Sequence, residues 1–90
     1  MDRSYRMNIS RRPDSTHIHL KGKFDGSLAS LLVQALEAHC RNPGRIVVHT
    51  DTITNIHPFG IAVLQSHLPR LKSGPAKVTF TGENRDRIAP

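Results

Sequence analysis

The sequence predicts a single α/β domain, residues 1–90, with the element order β-β-α-β-α-β. Two short alternating runs flank a turn, two segments carry apolar side chains at helical spacing, and a β-branched apolar run lies between those segments. The hydrophobic content of 37% supports a packed core rather than a disordered chain. We expect a mixed sheet of about four strands, with the helices mainly on one of its faces.

The first two strands are predicted to form an antiparallel hairpin. Residues 5–10 and 17–23 each alternate between apolar and polar side chains, and residues 11–15 between them include Pro and Asp, as turns do. In the second run, Ile18 and Leu20 lie on one face, which we expect to be the buried one.

The first helix is predicted between Asp25 and a stop signal at residues 42–44. Asp25 or Ser27 can cap its free N–H groups, and Asn-Pro-Gly ends it. One face carries the side chains expected to pack against the sheet: Leu28, Leu31, Leu32, Ala35, Leu36 and His39.

Two further strands flank a second helix. Residues 45–50 contain the consecutive Ile-Val-Val of a buried strand, residues 51–57 are predicted as a loop, and residues 76–81 alternate. Pro58 suits the first helical turn, whereas Pro69 predicts a kink or a break. The expected buried stripe of this helix consists of Ile61, Leu64, Leu68 and Leu71.

The net charge of +6 is concentrated at the two ends of the chain, where residues 1–4 and 84–90 are expected to be flexible. Residues 24–69 are nearly neutral, with two basic and three acidic side chains. A nucleic-acid-binding protein more often concentrates its basic residues on one recognition element. We therefore interpret the charge as solvated and nucleic acid as an unexpected partner; an acidic partner or membrane headgroups are the alternative.

Three features predict a cytoplasmic protein that meets a membrane only through a partner. No apolar run reaches the roughly 18 residues of a membrane span. The first ten residues lack the apolar segment of a secretory signal, and the single Cys40 permits no internal disulfide.

The sequence contains no recognisable catalytic set, so we expect neither an enzyme nor a cofactor. His17, His19 and His49 are predicted to share one sheet face, and three imidazoles could in principle bind a metal. No well-placed carboxylate completes the set, which favours three solvated histidines and no metal.

The order of motifs over residues 15–84 resembles the STAS domain of anti-sigma-factor antagonists, sulfate-transporter tails and related small bacterial regulators. Phe24-Asp25 ends a strand in the family's pattern of apolar-x-Gly-x-apolar-Asp. Residues 45–64 resemble the family's strand–loop–helix segment, and residues 77–82 resemble the strand that follows. Each motif is weak alone, and their order carries the resemblance.

The chain departs from the family at the phosphorylation loop. The family's loop reads Asp-Ser-Ser/Thr-Gly, whereas this chain has His57-Pro58-Phe59-Gly60. Phe59 occupies the phosphorylated position, so the resemblance implies a domain that is not phosphorylatable there.

The resemblance implies a non-enzymatic regulatory domain that binds a protein partner, either an anti-sigma factor or similar kinase, or a transporter subunit. The alternatives are a small subunit of an ABC-type lipid or anion transporter, and a module that binds an anion, a nucleotide or a lipid at the same loop. The expected partner-binding residues are Asn55, Ile56, His57, Pro58, Phe59, Gly60 and Asp25.

Three of these residues have a structural alternative. Phe59 is either an exposed anchor or a core side chain, and Asp25 is either a site residue or a helix cap. Gly60 is interpreted as a residue that lets the helix start approach the sheet closely.

A homodimer or an obligate partner is also expected, because the family's last helix is largely missing from this sequence. Without that helix, Leu68, Leu71 or Phe80 should be less covered than in the family, and an uncovered apolar patch favours association.

Overall fold

The fold is known from a computed structural model that describes residues 6–89, and it confirms the predicted α/β class. Four strands and two long helices follow the order β-β-α-β-α-β, and a short third helix ends the described chain. The elements are β1 (Met7–Arg11), β2 (Ser15–Phe24), α1 (Gly26–His39), β3 (Gly44–Ile56), α2 (Pro58–Lys72), β4 (Ala76–Thr81) and α3 (Arg85–Ile88).

The four strands form one mixed sheet in the order β1-β2-β3-β4. The predicted hairpin is present, with β1 antiparallel to β2 and Ile9 opposite Ile18. β2, β3 and β4 are parallel, so both helices are crossover connections between neighbouring strands. The carboxyl ends of β2 and β3 consequently lie at one edge of the sheet, which we call the carboxyl edge, and the β1–β2 turn lies at the other, the amino edge.

The core lies between one face of the sheet and the two long helices. Ile18 and Leu20 from β2 and Ile46 and Val48 from β3 are buried there, as the alternation predicted. The other face of the sheet, which we call the open face, carries polar side chains. The largest fully buried side chains from α1, α2, α3 and the end of β2 complete the core: Phe24, Leu28, Leu32, Leu36, Leu64, Leu71 and Ile88.

The prediction of a loop over residues 51–57 is wrong, because β3 continues to Ile56. β4 follows β3 only as far as the pair His49 and Thr81, so the rest of β3 pairs with β2 alone. Polar side chains on that half-exposed part of the strand resemble those of a loop. Two register shifts between β2 and β3 also interrupt the alternation that would have indicated a strand.

The expectations for the helices need two corrections. Leu31 is 44% exposed, because α1 buries the adjacent line of Leu28, Leu32 and Leu36 instead. Pro69 does not break α2, which continues to Lys72, and the alternative of a kink stays a prediction. Its ring occupies an exposed position, where water can satisfy the carbonyl that lacks a partner.

The packing of the last residues removes the stated reason for expecting a homodimer. Leu68 and Leu71 are buried, and Phe80 packs partly buried against the core. α3 is the expected helical turn, and its Ile88 is fully buried, while the flexibility of residues 84–90 stays a prediction. Residues 1–4 lie outside the described range, and the homodimer itself stays a prediction. Within residues 6–89, the helices are all too short or too polar to cross a bilayer.

Candidate partner-binding site

Residues 55–60 lie at the carboxyl edge, where β2 and β3 end and both long helices begin. β3 ends at Ile56 and α2 begins at Pro58, so His57 alone joins them. The backbone N–H of His57 donates to the carbonyl of Phe24 at 2.9 Å. The end of β2 thereby holds the start of α2, and the expected loop is a strand end joined directly to a helix.

Gly60 provides the close approach that the sequence predicted. A Cβ atom there would lie 2.9 Å from the carbonyl carbon and oxygen of Asp25 and from the carbonyl oxygen of Phe24. These are backbone atoms at the end of β2, which cannot move aside without shifting the strand. A residue without a side chain is therefore required at the first turn of α2.

Phe59 is an exposed side chain and not a core residue, with 71% of its surface accessible. Its ring lies against Gly26, where a Cβ atom would be 2.7 Å from two ring carbons of Phe59. The flanking backbone is fixed by the His57 hydrogen bond and the close packing of Gly60. Phe59 is thus a large apolar group on a rigid support at the first turn of α2.

Asp25 is the N-cap of α1, as one of its two interpretations predicted. Its Oδ1 accepts from the backbone N–H of Leu28 at 3.0 Å and from the Arg6 guanidinium at 2.7 Å. The Leu28 hydrogen bond and, after it, the Arg6 guanidinium hold the pKa of Asp25 below its usual value. The cap orients the first turn of α1, on which the ring of Phe59 rests.

The other predicted site residues divide into exposed and supporting ones. Asn55, His57 and Pro58 are exposed beside Phe59, whereas Ile56 is partly buried and packs against the core. His57 precedes α2 without capping it through its side chain. Pro58 also lacks the N–H that would serve an anion at this helix end. The exposed surface therefore favours apolar and amide contacts.

The three histidines do share the open face, as predicted. His17 Nδ1 and His49 Nε2 lie 2.9 Å apart in a hydrogen bond, and the rings of His19 and His49 stack at 4.2 Å with 4° between their planes. Stacked rings direct their nitrogen lone pairs side by side rather than at a common point. Among residues 6–89 no group of three His, Cys, Asp or Glu side chains has the arrangement of a metal site.

His49 lies in the middle of this row, and its environment disfavours protonation. Partial burial and the neighbouring His19 and His17 lower the pKa of His49, while Asp51 opposes the shift. This row of His17, His49 and His19 therefore favours the neutral form of its central imidazole.

Sequence analysis missed two supporting groups at the carboxyl edge. Gly26 makes room for the Phe59 ring, and Arg6 holds Asp25 while also donating to the carbonyl of Lys23 at 2.7 Å. A glycine at the first position of a helix is a detectable signal, since glycine is a poor helix former unless something approaches closely. Arg6 gave no such signal, because its contact depends on the pairing of β1 with β2.

Sequence analysis also missed the contacts by which the chain after β4 packs against β3. The backbone N–H of Asn84 donates to Thr50 Oγ1 at 3.2 Å, and its side-chain amide donates to the Thr50 carbonyl at 2.9 Å. Gly82 has a φ of 107°, and a Cβ there would lie 2.7 Å from Thr50 Oγ1. These contacts explain why the chain after β4 returns to the sheet.

Comparisons with known proteins support the fold and no more. No protein-family model matches the sequence, and no curated protein matches it. The structure is similar to part of the crystal structure of Mglu, with a TM-score of 0.74 and 19% identity over 87% of this chain and 20% of that one.

Two further Mglu structures agree with this comparison. The tris and glutamate form has a TM-score of 0.73 and 14% identity over 91% of this chain and 29% of that one. The L-glutamate binding form in 4.3 M NaCl has a TM-score of 0.66 and 16% identity over the whole of this chain and 30% of that one. The chain thus spans between a fifth and three tenths of the Mglu chains.

Proposed function

We propose that this domain regulates a protein partner by binding it at the carboxyl edge, and that it does so without catalysis. The contact surface consists of Asn55, His57, Pro58 and Phe59, supported by Ile56, Gly60 and Asp25. The observation that carries the proposal is the exposure of Phe59 on a fixed backbone. Aromatic side chains that are exposed in the free protein and become buried at the centre of an interface contribute a large share of the binding energy.

The rigidity of this surface strengthens the proposal. The N–H of His57 is bonded to Phe24, and Gly60 is packed against the end of β2. Association therefore orders little additional chain, which lowers its entropic cost. Without a partner, Phe59 packs only against Gly26 and leaves most of its apolar surface in water, which is unfavourable.

The composition of the surface argues for a constitutive activity. Residues 55–60 carry no hydroxyl group. If the domain acts as the resemblance to STAS anti-sigma-factor antagonists implies, a kinase has no serine or threonine to modify at this position. The domain would then bind its partner without the phosphorylation switch of that family.

The partner class follows from the same resemblance. An anti-sigma factor or similar kinase in the cytoplasm is the first candidate, and a subunit of a membrane transporter is the second. The similarity to a fraction of each Mglu chain supports the use of this fold as one module beside others. Either partner would bring the domain to its site of action through protein contacts.

The test is the substitution Phe59→Ala, measured against purified candidates of both partner classes. We expect partner affinity to fall by about 30-fold, which corresponds to about 2 kcal/mol, a typical hot-spot effect. The free energy of unfolding in urea should change by less than about 1 kcal/mol, since the ring is exposed.

Ile9→Ala is the matched control, because Ile9 is a partly exposed apolar side chain on β1, level with Ile18 and away from the carboxyl edge. Its affinity for the partner should stay within about twofold of the original. Equal losses for the two variants, or no binding to either candidate class, would contradict the proposal.

A further inference from the structure

A concave surface lies at the amino edge, at the opposite end of the strands from Phe59. It is a cavity of about 270 Å³. The β1–β2 turn, the connection between α1 and β3, and the first residues of β3 and β4 form its walls. Nothing in the proposed partner contact uses this region.

The walls of the cavity are strongly basic. Arg11, Arg12 and Arg45 line it together with His39, while Asp14 supplies the carboxylate among the lining residues. The ion pairs among residues 6–89 engage other arginines, at Asp25, Glu37 and Asp86. Three arginines among the lining residues bring three positive charges, which the single carboxylate of Asp14 does not cancel.

Backbone hydrogen bonds hold these walls in place. The N–H of Arg45 donates to the carbonyl of Asp14 at 3.3 Å, and the N–H of Arg12 donates to the carbonyl of Ser15 at 2.8 Å. The N–H of Ala76 donates to the carbonyl of Cys40 at 3.3 Å. The turn is thus held by the start of β3 and the connection by the start of β4, so the cavity exists before any ligand arrives.

The size and chemistry of the cavity select one ligand class. Its volume corresponds to about nine water molecules at roughly 30 Å³ each, which is small for a binding pocket. Guanidinium groups bind phosphate oxygens through paired, charge-assisted hydrogen bonds. We infer that the amino-edge cavity binds the phosphate chain of a small polyphosphate, either inorganic or the triphosphate of a nucleotide.

Calorimetric titration of the whole chain with tripolyphosphate and with ATP tests this inference. The key variant is Arg45→Gln, and Arg12→Gln is a second variant on the other wall. Each should weaken tripolyphosphate binding about tenfold, which corresponds to about 1.4 kcal/mol. ATP binding as tight as tripolyphosphate binding, with the same losses, places a nucleotide triphosphate in the site; weaker ATP binding indicates an inorganic chain.

Arg87→Gln is the matched control, since it removes the same charge from α3, which follows the carboxyl end of β4. Its affinity for tripolyphosphate should remain within about twofold of the original. Urea denaturation of each variant verifies that it is folded, and a variant that fails this check is replaced by the other wall variant. Equal weakening in Arg87→Gln, absence of tripolyphosphate binding, or binding of a single-stranded oligonucleotide alone would overturn the inference.

Discussion

The carboxyl edge and the open face were both candidate sites, and they differ in what their side chains contact. At the carboxyl edge the His57 N–H is bonded to Phe24 and Gly60 is tightly packed, yet the ring of Phe59 points into solvent and touches Gly26. On the open face His17, His19 and His49 contact one another through a hydrogen bond and stacked rings. The carboxyl edge therefore presents an exposed aromatic ring on a rigid backbone, whereas the histidines of the open face are already in contact with one another.

This difference explains why a partner contact is proposed at one region and not at the other. The imidazoles of the open face already contact one another, so a partner there would find fewer groups without a neighbour. A partner that covered Phe59 would remove apolar surface from water, worth about 25 cal/mol per Å². The comparison therefore depends on the rigidity of the carboxyl edge and on the self-contained character of the histidine row.

The largest expected effect on the comparison comes from Gly60→Ala. The added methyl group meets backbone atoms of Phe24 and Asp25, so the start of α2 must move away from β2. We expect a loss of about 1–3 kcal/mol in the free energy of unfolding, as for other overpacked sites. Urea denaturation of the variant and the original chain measures it.

Gly26→Ala serves as the control, because its methyl group meets only the ring of Phe59. A side chain can rotate, and alanine favours the helix by up to about 1 kcal/mol over glycine. The stability loss should therefore be clearly smaller than for Gly60→Ala. If both substitutions cost the same, the carboxyl edge is not held by its backbone as described.

A smaller effect is expected at Asp25, where Asp25→Ala and Asp25→Asn separate the cap from the charge. Asparagine can still accept from the Leu28 N–H, whereas alanine cannot, so Asp25→Ala should lower the melting temperature more. Both effects should be smaller than that of Gly60→Ala, since Asp25 is partly exposed and its pair with Arg6 is screened.

The pH dependence at Asp25 has a definite sign. Its pKa is lowered on folding, so the unfolded chain binds more protons near pH 4. The stabilisation is fully present above the ordinary aspartate pKa of about 3.9 and is lost as the pH falls through the lower, folded value. Asp25→Asn should lose less stability than the original chain between pH 5 and pH 2. An equal acid dependence in both would contradict the Arg6 and Leu28 contacts.

The sequence was informative wherever spacing along one element decided the outcome. Alternation placed Ile18 and Leu20 in the core, and the resemblance placed Gly60 at a close approach. It failed where a contact depended on another element: residues 51–56 look like a loop because β4 does not reach them. The sequence also could not show whether Phe59 is exposed, since its position depends on how the first turn of α2 packs against Gly26 at the start of α1.

The smallest effect is expected on the open face, where His49→Thr replaces the central imidazole with a residue that suits strands. At pH 8 the free energy of unfolding should change by less than about 1 kcal/mol, as at other surface positions. Because the pKa of His49 is lowered on folding, the original chain loses stability as the pH falls below about 6.5.

The variant lacks this titration, so the difference between His49→Thr and the original chain should shift in favour of the variant between pH 7 and pH 5. Thermal denaturation at matched ionic strength measures that shift. A constant difference across this range would show that the histidine row does not resist protonation.

The central claim is that a partner covers the carboxyl edge, and amide hydrogen exchange of the free and bound domain tests it most directly. The account predicts that peptides covering residues 24–28 and 55–61 gain protection when the partner binds, while peptides covering His17, His19 and His49 exchange at the same rate. Protection of the histidine-bearing strands, with residues 55–61 unchanged, would contradict it and move the interface to the open face.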